Sequence, residues 1–258
     1  MRIDIITAFP EYFYSPLEVG IIRKALEEEL LKVELHNLRN FSSDKHGKID
    51  DYPYSGKPGM IIKAPIVLEA VNNVQNLLPY TPKVVLFTST GVKLNNSIAR
   101  NLSEKDGLIL ICGHYEGIDE RVKEHFSPLE ISIGDYIISG GEAAALVLIE
   151  AIIRFLPAVI KRESYEEESF ENNLLEYPQY TRPPEFAGME VPEILLSGNH
   201  QDVSKWLLKE SLKRTLLLRP DLIKNRYFSK SELDIIDIIF KEFVELVNCI
   251  PKGGNDFE

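Results

Sequence analysis

Short apolar runs alternate with amphipathic stretches along the first part of the chain, and each run has the length of a strand. Residues 3–7, 33–38, 83–88, 108–112 and 129–133 are rich in Ile, Val and Leu and bounded by turn residues, so they read as strands. Between them, residues 17–31 place Ile21, Ile22, Leu26 and Leu30 on one helical side. Residues 65–78 open with proline, which suits the first turn of a helix. Residues 94–102, 119–126 and the strongly apolar 142–156, ended by Pro157, complete the helices. Strands alternating with helices predict an α/β domain with a largely parallel sheet. Residues 40–60 break the pattern with Gly, Pro, Asp and Ser, as a long loop does, and loops of that length are usually functional or disordered.

Beyond Pro157 the pattern changes. Residues 161–176 carry Glu163, Glu166, Glu167, Glu168, Glu171 and Glu176, a run that normally forms a solvated linker. The next stretch, YPQYTRPPEFAGMEVPEILLSGNH, is proline-rich and aperiodic, and two helices over 203–218 and 231–247 follow. The organisation expected is an α/β domain over 1–160, a linker over 161–176 and a small all-α domain over 177–258.

Charge adds a qualification. The 258-residue chain has a formal net charge of −11, which argues mildly against a nucleic-acid partner. Yet between Lys205 and Lys230 there are eight basic residues against Glu210 and Asp221, a local net of +6. Lys205, Lys209 and Lys213 recur at helical spacing on one face, next to Arg214, while Trp206, Leu207, Leu208, Leu212 and Leu216 supply an apolar side. The ordinary reading is a solvated face; a phosphate-binding stripe is the competing one. No apolar run approaches the roughly 20 residues of a membrane span, and the first residues lack the pattern of a signal peptide, so cytoplasmic residence is the default expectation. Cys112 and Cys249 imply no disulfide framework and read as inert buried thiols.

Candidate chemistry concentrates between residues 111 and 141. The loops 113–117 and 134–141 are glycine-rich and each follows a strand-type run; Thr88 to Gly91 follows a third. Ligands of parallel α/β sheets bind beyond the carboxyl ends of strands, and glycine lets main chain approach them closely. These loops therefore predict a small-molecule pocket walled by backbone, without a dinucleotide or phosphate-loop fingerprint. Arg154, at the end of the apolar helix, suits the helix dipole and is also a rigidly held planar donor that could stabilise negative charge on a substrate oxygen near the sheet edge. One of the linker glutamates could serve as a general base. The five histidines are scattered and show no zinc-ligand spacing.

CGHYEGIDERV (Cys112 to Val122), SIGDYIISGGE (Ser132 to Glu142), YTRPPEFAGMEVPEILLSGNH (Tyr180 to His200) and DDYPYSGKPGM (Asp50 to Met60) together resemble the bacterial tRNA (guanine-N1-)-methyltransferases. The resemblance runs over nearly the whole chain. It implies the SPOUT fold with a deep trefoil knot, S-adenosyl-methionine as methyl donor, and methylation of N1 of the guanosine at position 37 of tRNA, just 3′ of the anticodon. It implies cofactor contacts at Ser89, Gly113, Tyr115, Glu116, Ile133, Gly134, Asp135, Tyr136, Ile137, Ile138, Gly140 and Gly141. It also implies a homodimer whose active sites take parts from both subunits, a C-terminal domain that holds tRNA, and Arg154 as the arginine that stabilises the guanine anion. RNA contacts are expected at Lys205, Lys209, Lys213 and Arg214 of the basic stripe, and at Asp50 and Lys57 of the segment that the family keeps near the tRNA. Mg²⁺ is carried as a further candidate cofactor. The family's basic aspartate, followed by Ser-Phe, corresponds to Glu168 here, with Glu167 as the alternative. Ser55 and Lys57 stand where the family has glycines, and Ser89 where it has proline. Two other readings stay open: an RNA-binding homologue weakened in catalysis, and a SPOUT methyltransferase with another RNA target.

Overall fold

A computed structural model describes residues 1–160, 168–224 and 226–249. The chain divides into two compact units, Met1–Lys161 and Arg162–Glu258.

The first unit is built on five parallel strands: β1 (Arg2–Thr7), β2 (Lys32–Asn37), β3 (Lys83–Lys93), β4 (Gly107–Ile111) and β5 (Leu129–Ser132), in the order β2-β1-β4-β3-β5. Helices α1 (Gly20–Glu27), α2 (Ala64–Asn76), α3 (Asn96–Ser103), α4 (Arg121–Phe126) and α5 (Glu142–Ile153) cover it. The central strand, β4, is apolar at every position because both faces are covered. Ile3, Ile5, Leu108 and Leu110 pack with α1, α3 and α5 on one face, while Ile6, Ile109 and Ile111 pack with α2 and Val122 on the other. Each such buried side chain contributes about 1.5–3 kcal/mol, so these alternating rows fix the register.

Three local differences from the sequence reading have physical causes. The helix expected over 17–31 is interrupted, because Gly20 takes φ +61, and α1 begins only there. Strand β3 runs past Thr88 to Lys93: Phe87 and Val92 both face Ile131, so residues 88–91 bulge from the ladder. The stretch 168–176, expected as solvated linker, folds onto the second unit. There the Leu175 N–H donates to the Thr215 hydroxyl at 2.8 Å, the Ser211 hydroxyl donates to the Leu175 carbonyl at 2.6 Å, and Leu174 enters the core. Residues 161–167 lie outside the described residues.

In the second unit, α6 (His200–Leu218) and α7 (Lys230–Cys249) pack through Leu212, Ile239, Leu208, Leu216, Ile236 and Phe243. Asn199 caps α6 by accepting from the Gln201 N–H at 3.2 Å. The proline-rich stretch before it holds a short antiparallel hairpin, Glu185–Phe186 with Met189–Glu190. Among the described residues no helix is long and apolar enough to cross a membrane.

Candidate active site

The carboxyl ends of β3, β4 and β5 open into one cavity of about 410 Å³. Beyond β5 the chain returns past β3 to lie against the loop after β4. His114 and Gly140 form an isolated antiparallel bridge, and the Gly141 N–H donates to the Gly113 carbonyl at 2.8 Å. Residues 113–117 and 133–141 thus face each other across the cavity, with the bulge at 88–91 as a third wall.

Of the twelve residues expected to touch a cofactor, Ser89, Gly113, Tyr115, Glu116, Ile133, Gly134, Tyr136, Ile137, Ile138, Gly140 and Gly141 line this cavity. Asp135 does not; its exposed carboxylate pairs with Lys93 at 2.6 Å. Sequence reasoning passed over other lining residues, among them His114, Ile118, Glu120 and Lys123. Lys123 bridges Glu120 at 3.2 Å and Glu130 at 3.3 Å, and Glu130 also accepts from the Thr90 hydroxyl at 2.8 Å. Burial alone would lower the Lys123 pKa, but the two carboxylates outweigh it and hold the ammonium above its usual range. Lys123 therefore joins the first loop, α4 and β5 at the cavity wall.

The long polar segment is anchored to the same place. The Glu116 N–H donates to the Met60 carbonyl at 3.0 Å and the Ile62 N–H to the Gly117 carbonyl at 3.0 Å. Gly59, at φ +108, lies so close that a Cβ there would stand 2.3 Å from Cγ of Glu116. These contacts bring the segment bearing Asp50 and Lys57 beside the cavity loop; Lys57 is exposed and Asp50 half-buried in its hairpin.

A buried polar cluster backs the wall. Glu142, the first residue of α5, is 3 % exposed and accepts from the Thr7 hydroxyl at 2.7 Å. Its other oxygen is 3.6 Å from Nδ1 of His114. Cys112 lies fully buried nearby, and burial, followed by the Glu142 charge, pushes its thiol well above the usual range, as an inert core thiol. Cys249, by contrast with the expectation, is exposed.

Arg154 stands elsewhere in the unit. It caps the carboxyl end of α5, whose amino end meets the cavity, so about 18 Å of helix separates it from that wall. The helix that starts at the pocket carries its arginine away from it. Glu168 belongs to the second unit, where its carbonyl accepts from the Glu171 N–H at 3.2 Å; Glu167 lies outside the described residues.

The basic stripe on α6 divides. Lys205 is exposed. Lys209 bonds the Glu242 carboxylate on α7, and Arg219 and Arg226 pair with Asp221 and Glu232. Lys213 and Arg214 are half-buried, with Nε of Arg214 buried and unpartnered. The local excess of charge read from 205–230 omitted acids that the fold brings in from α7. Among the described residues no group of three His, Cys, Asp or Glu side chains is placed to hold a metal ion.

Residues 1–225 match the family profile described as tRNA (Guanine-1)-methyltransferase TrmD. The chain belongs to this family. Relatives named tRNA (guanine-N(1)-)-methyltransferase agree along nearly their whole length. The one from Dehalococcoides mccartyi (strain ATCC BAA-2266) is 48 % identical over 94 % of this chain and 98 % of its own. That from Carboxydothermus hydrogenoformans is 47 % identical over 98 % and 99 %, and that from Lacticaseibacillus paracasei 49 % over 87 % and 88 %. As a tRNA (guanine-1)-methyltransferase family member the protein is an enzyme, and its reaction is methylation of guanine N1 in tRNA.

Proposed function

We propose that the cavity holds S-adenosyl-methionine, that the guanine methylated is at position 37 of tRNA, and that two copies of the chain share each active site. The observation that carries this reading is the cavity itself, three strand-end loops presenting main chain and glycine around about 410 Å³, within the usual range of small-ligand pockets. Gly113, Tyr115, Glu116 and residues 133–141 other than Asp135 would hold the adenosyl group. Bound there, S-adenosyl-methionine supplies a methyl group on a sulfonium.

The chain's own residues make guanine reactive. Guanine N1 carries a proton and is a poor nucleophile until that proton leaves. Glu168 takes it as general base, and the Arg154 guanidinium stabilises the anion that spreads to O6. Lys205, Lys213 and Arg214, with Asp50 and Lys57 beside the cavity, position the RNA. Lys209 contributes through its pair with Glu242, as a support for α6.

Two observations support a homodimer. Arg154 lies at the far end of α5 from its own chain's cavity, which favours a second copy as its source. Tyr136 and Ile137 on the cavity loop are 58 % and 87 % exposed, an apolar surface that asks for a cover. The return of residues 133–141 across the end of β3 supports a deep trefoil knot of SPOUT type. On this reading residues 1–160 are the cofactor domain, 161–176 the connection and 177–258 the tRNA-binding domain, in a cytoplasmic enzyme. Mg²⁺ has no assembled ligand set among the described residues, and no step is assigned to it.

Calorimetry with S-adenosyl-methionine, followed by methyl transfer to transcripts carrying G or A at position 37, tests this. Binding with labelling of the G transcript alone is expected. Binding of tRNA without any heat of cofactor binding would favour a homologue weakened in catalysis, and equal labelling of both transcripts a different RNA target.

A further inference from the structure

The reaction scheme leaves Glu142 unused, although it is a buried acid at the start of the helix that meets the cavity. Its Oε1 is fixed: the Thr7 hydroxyl donates to it at 2.7 Å, and the same hydroxyl accepts from the Phe9 N–H at 2.9 Å. Its Oε2 stands 3.6 Å from Nδ1 of His114, beyond hydrogen-bond range. That Nδ1 is buried and has no hydrogen-bond partner. Gly140 is wedged between them, since a Cβ there would lie 2.2 Å from Oε2 and 2.3 Å from Nδ1. The imidazole also meets the Phe9 ring at a tilt and the Tyr115 ring edge-on, with ring centroids 4.7 and 5.3 Å apart. A carboxylate oxygen and a buried, unpartnered nitrogen thus face each other across the seam where the two cavity loops meet.

We propose that Glu142 is a positioning residue for the adenosyl donor, acting through His114. A ligand that bridges residues 113–117 and 133–141 draws the two loops together. A small rotation of His114 then lets Nδ1–H donate to Oε2 of Glu142, and Tyr115 and Gly140 are fixed against the ligand. Because the bond forms when the loops close, its energy is expressed as ligand affinity rather than as stability of the empty protein. Thr7, at the end of β1, holds the carboxylate to the rigid sheet and supplies the fixed point.

This inference rests on the reading of the cavity as an adenosyl site, and the test separates the two. Calorimetry is run with S-adenosyl-methionine on the unaltered full-length protein, on Glu142→Gln, on His114→Ala and on the double variant. Gln keeps the shape and the Thr7 bond but loses the charged acceptor. Each single variant should weaken the ligand about tenfold, the scale of one hydrogen bond to a charged group, and the double variant should be no weaker than the poorer single one. In the unaltered protein, ¹⁵N spectra of histidine should show His114 as the Nδ1–H tautomer with a new hydrogen bond once the ligand is added. No ligand binding by the unaltered protein would remove the adenosyl site itself. Binding by the unaltered protein with Glu142→Gln within twofold of it, additive losses in the double variant, or a His114 signal indifferent to ligand would each overturn the role of Glu142 alone.

Discussion

Glu142 and Arg154 bracket one twelve-residue helix, the first at its amino end behind the cavity and the second at its carboxyl cap. An arginine held about 18 Å along α5 stands far from the cavity wall at the helix's amino end, and it is half-buried. A shared site gives that placement a role and predicts complementation. Arg154→Ala and Gly140→Ala should each be inactive as pure proteins. Refolded together in equal amounts, they should regain about a quarter of normal activity, because half the dimers are mixed and each mixed dimer has one site with both intact parts. Methyl transfer assays on the mixture check this; no recovery would mean that each chain works alone.

The α6 stripe predicts unequal lysines. Lys205→Ala should weaken tRNA binding and lower the slope of log affinity against log salt by about one, as loss of one phosphate contact does. Lys209→Ala should leave that slope unchanged and instead lower thermal stability, since its ammonium is engaged by Glu242. Salt titrations of tRNA binding and melting curves separate the two.

Asp4 gives the first unit an acid-sensitive contribution to its stability. Its carboxylate is 1 % exposed and is bonded by His36 at 2.8 Å and by Arg2 at 2.7 Å. Burial alone would raise its pKa, but the His36 and Arg2 hydrogen bonds outweigh it and hold the carboxyl below the usual range. A depressed folded-state pKa means that this stabilisation is fully present above the unfolded value near 4 and is lost as pH falls through the folded value. Denaturant melts should therefore weaken below about pH 4. Asp4→Asn should cost about 3–5 kcal/mol at neutral pH, the scale of breaking a buried pair, and should flatten that acid dependence.

Much of this was legible in the chain. The five apolar runs are the five strands because parallel strands are covered on both faces, and the glycine loops after three of them do line one cavity. What was not legible depends on distance along the chain. Lys209 finds its acid on α7, so a charge sum over a local window overstated the free cation. The place of Arg154 follows from the direction in which α5 leaves the sheet, which periodicity does not encode. His114 and Glu142 stand far apart in sequence and meet only because the chain returns across β3. Asp135 sits on the cavity loop with its carboxylate paired to Lys93, a partner 42 residues earlier in the chain.

The most direct test of the central claim is a crystal structure of the protein with S-adenosyl-methionine. The account predicts the adenosyl group between residues 113–117 and 133–141, held mainly by main-chain atoms, with its methyl open toward the substrate. Density for the ligand elsewhere, or those loops closed on their own side chains with the ligand excluded, would contradict it.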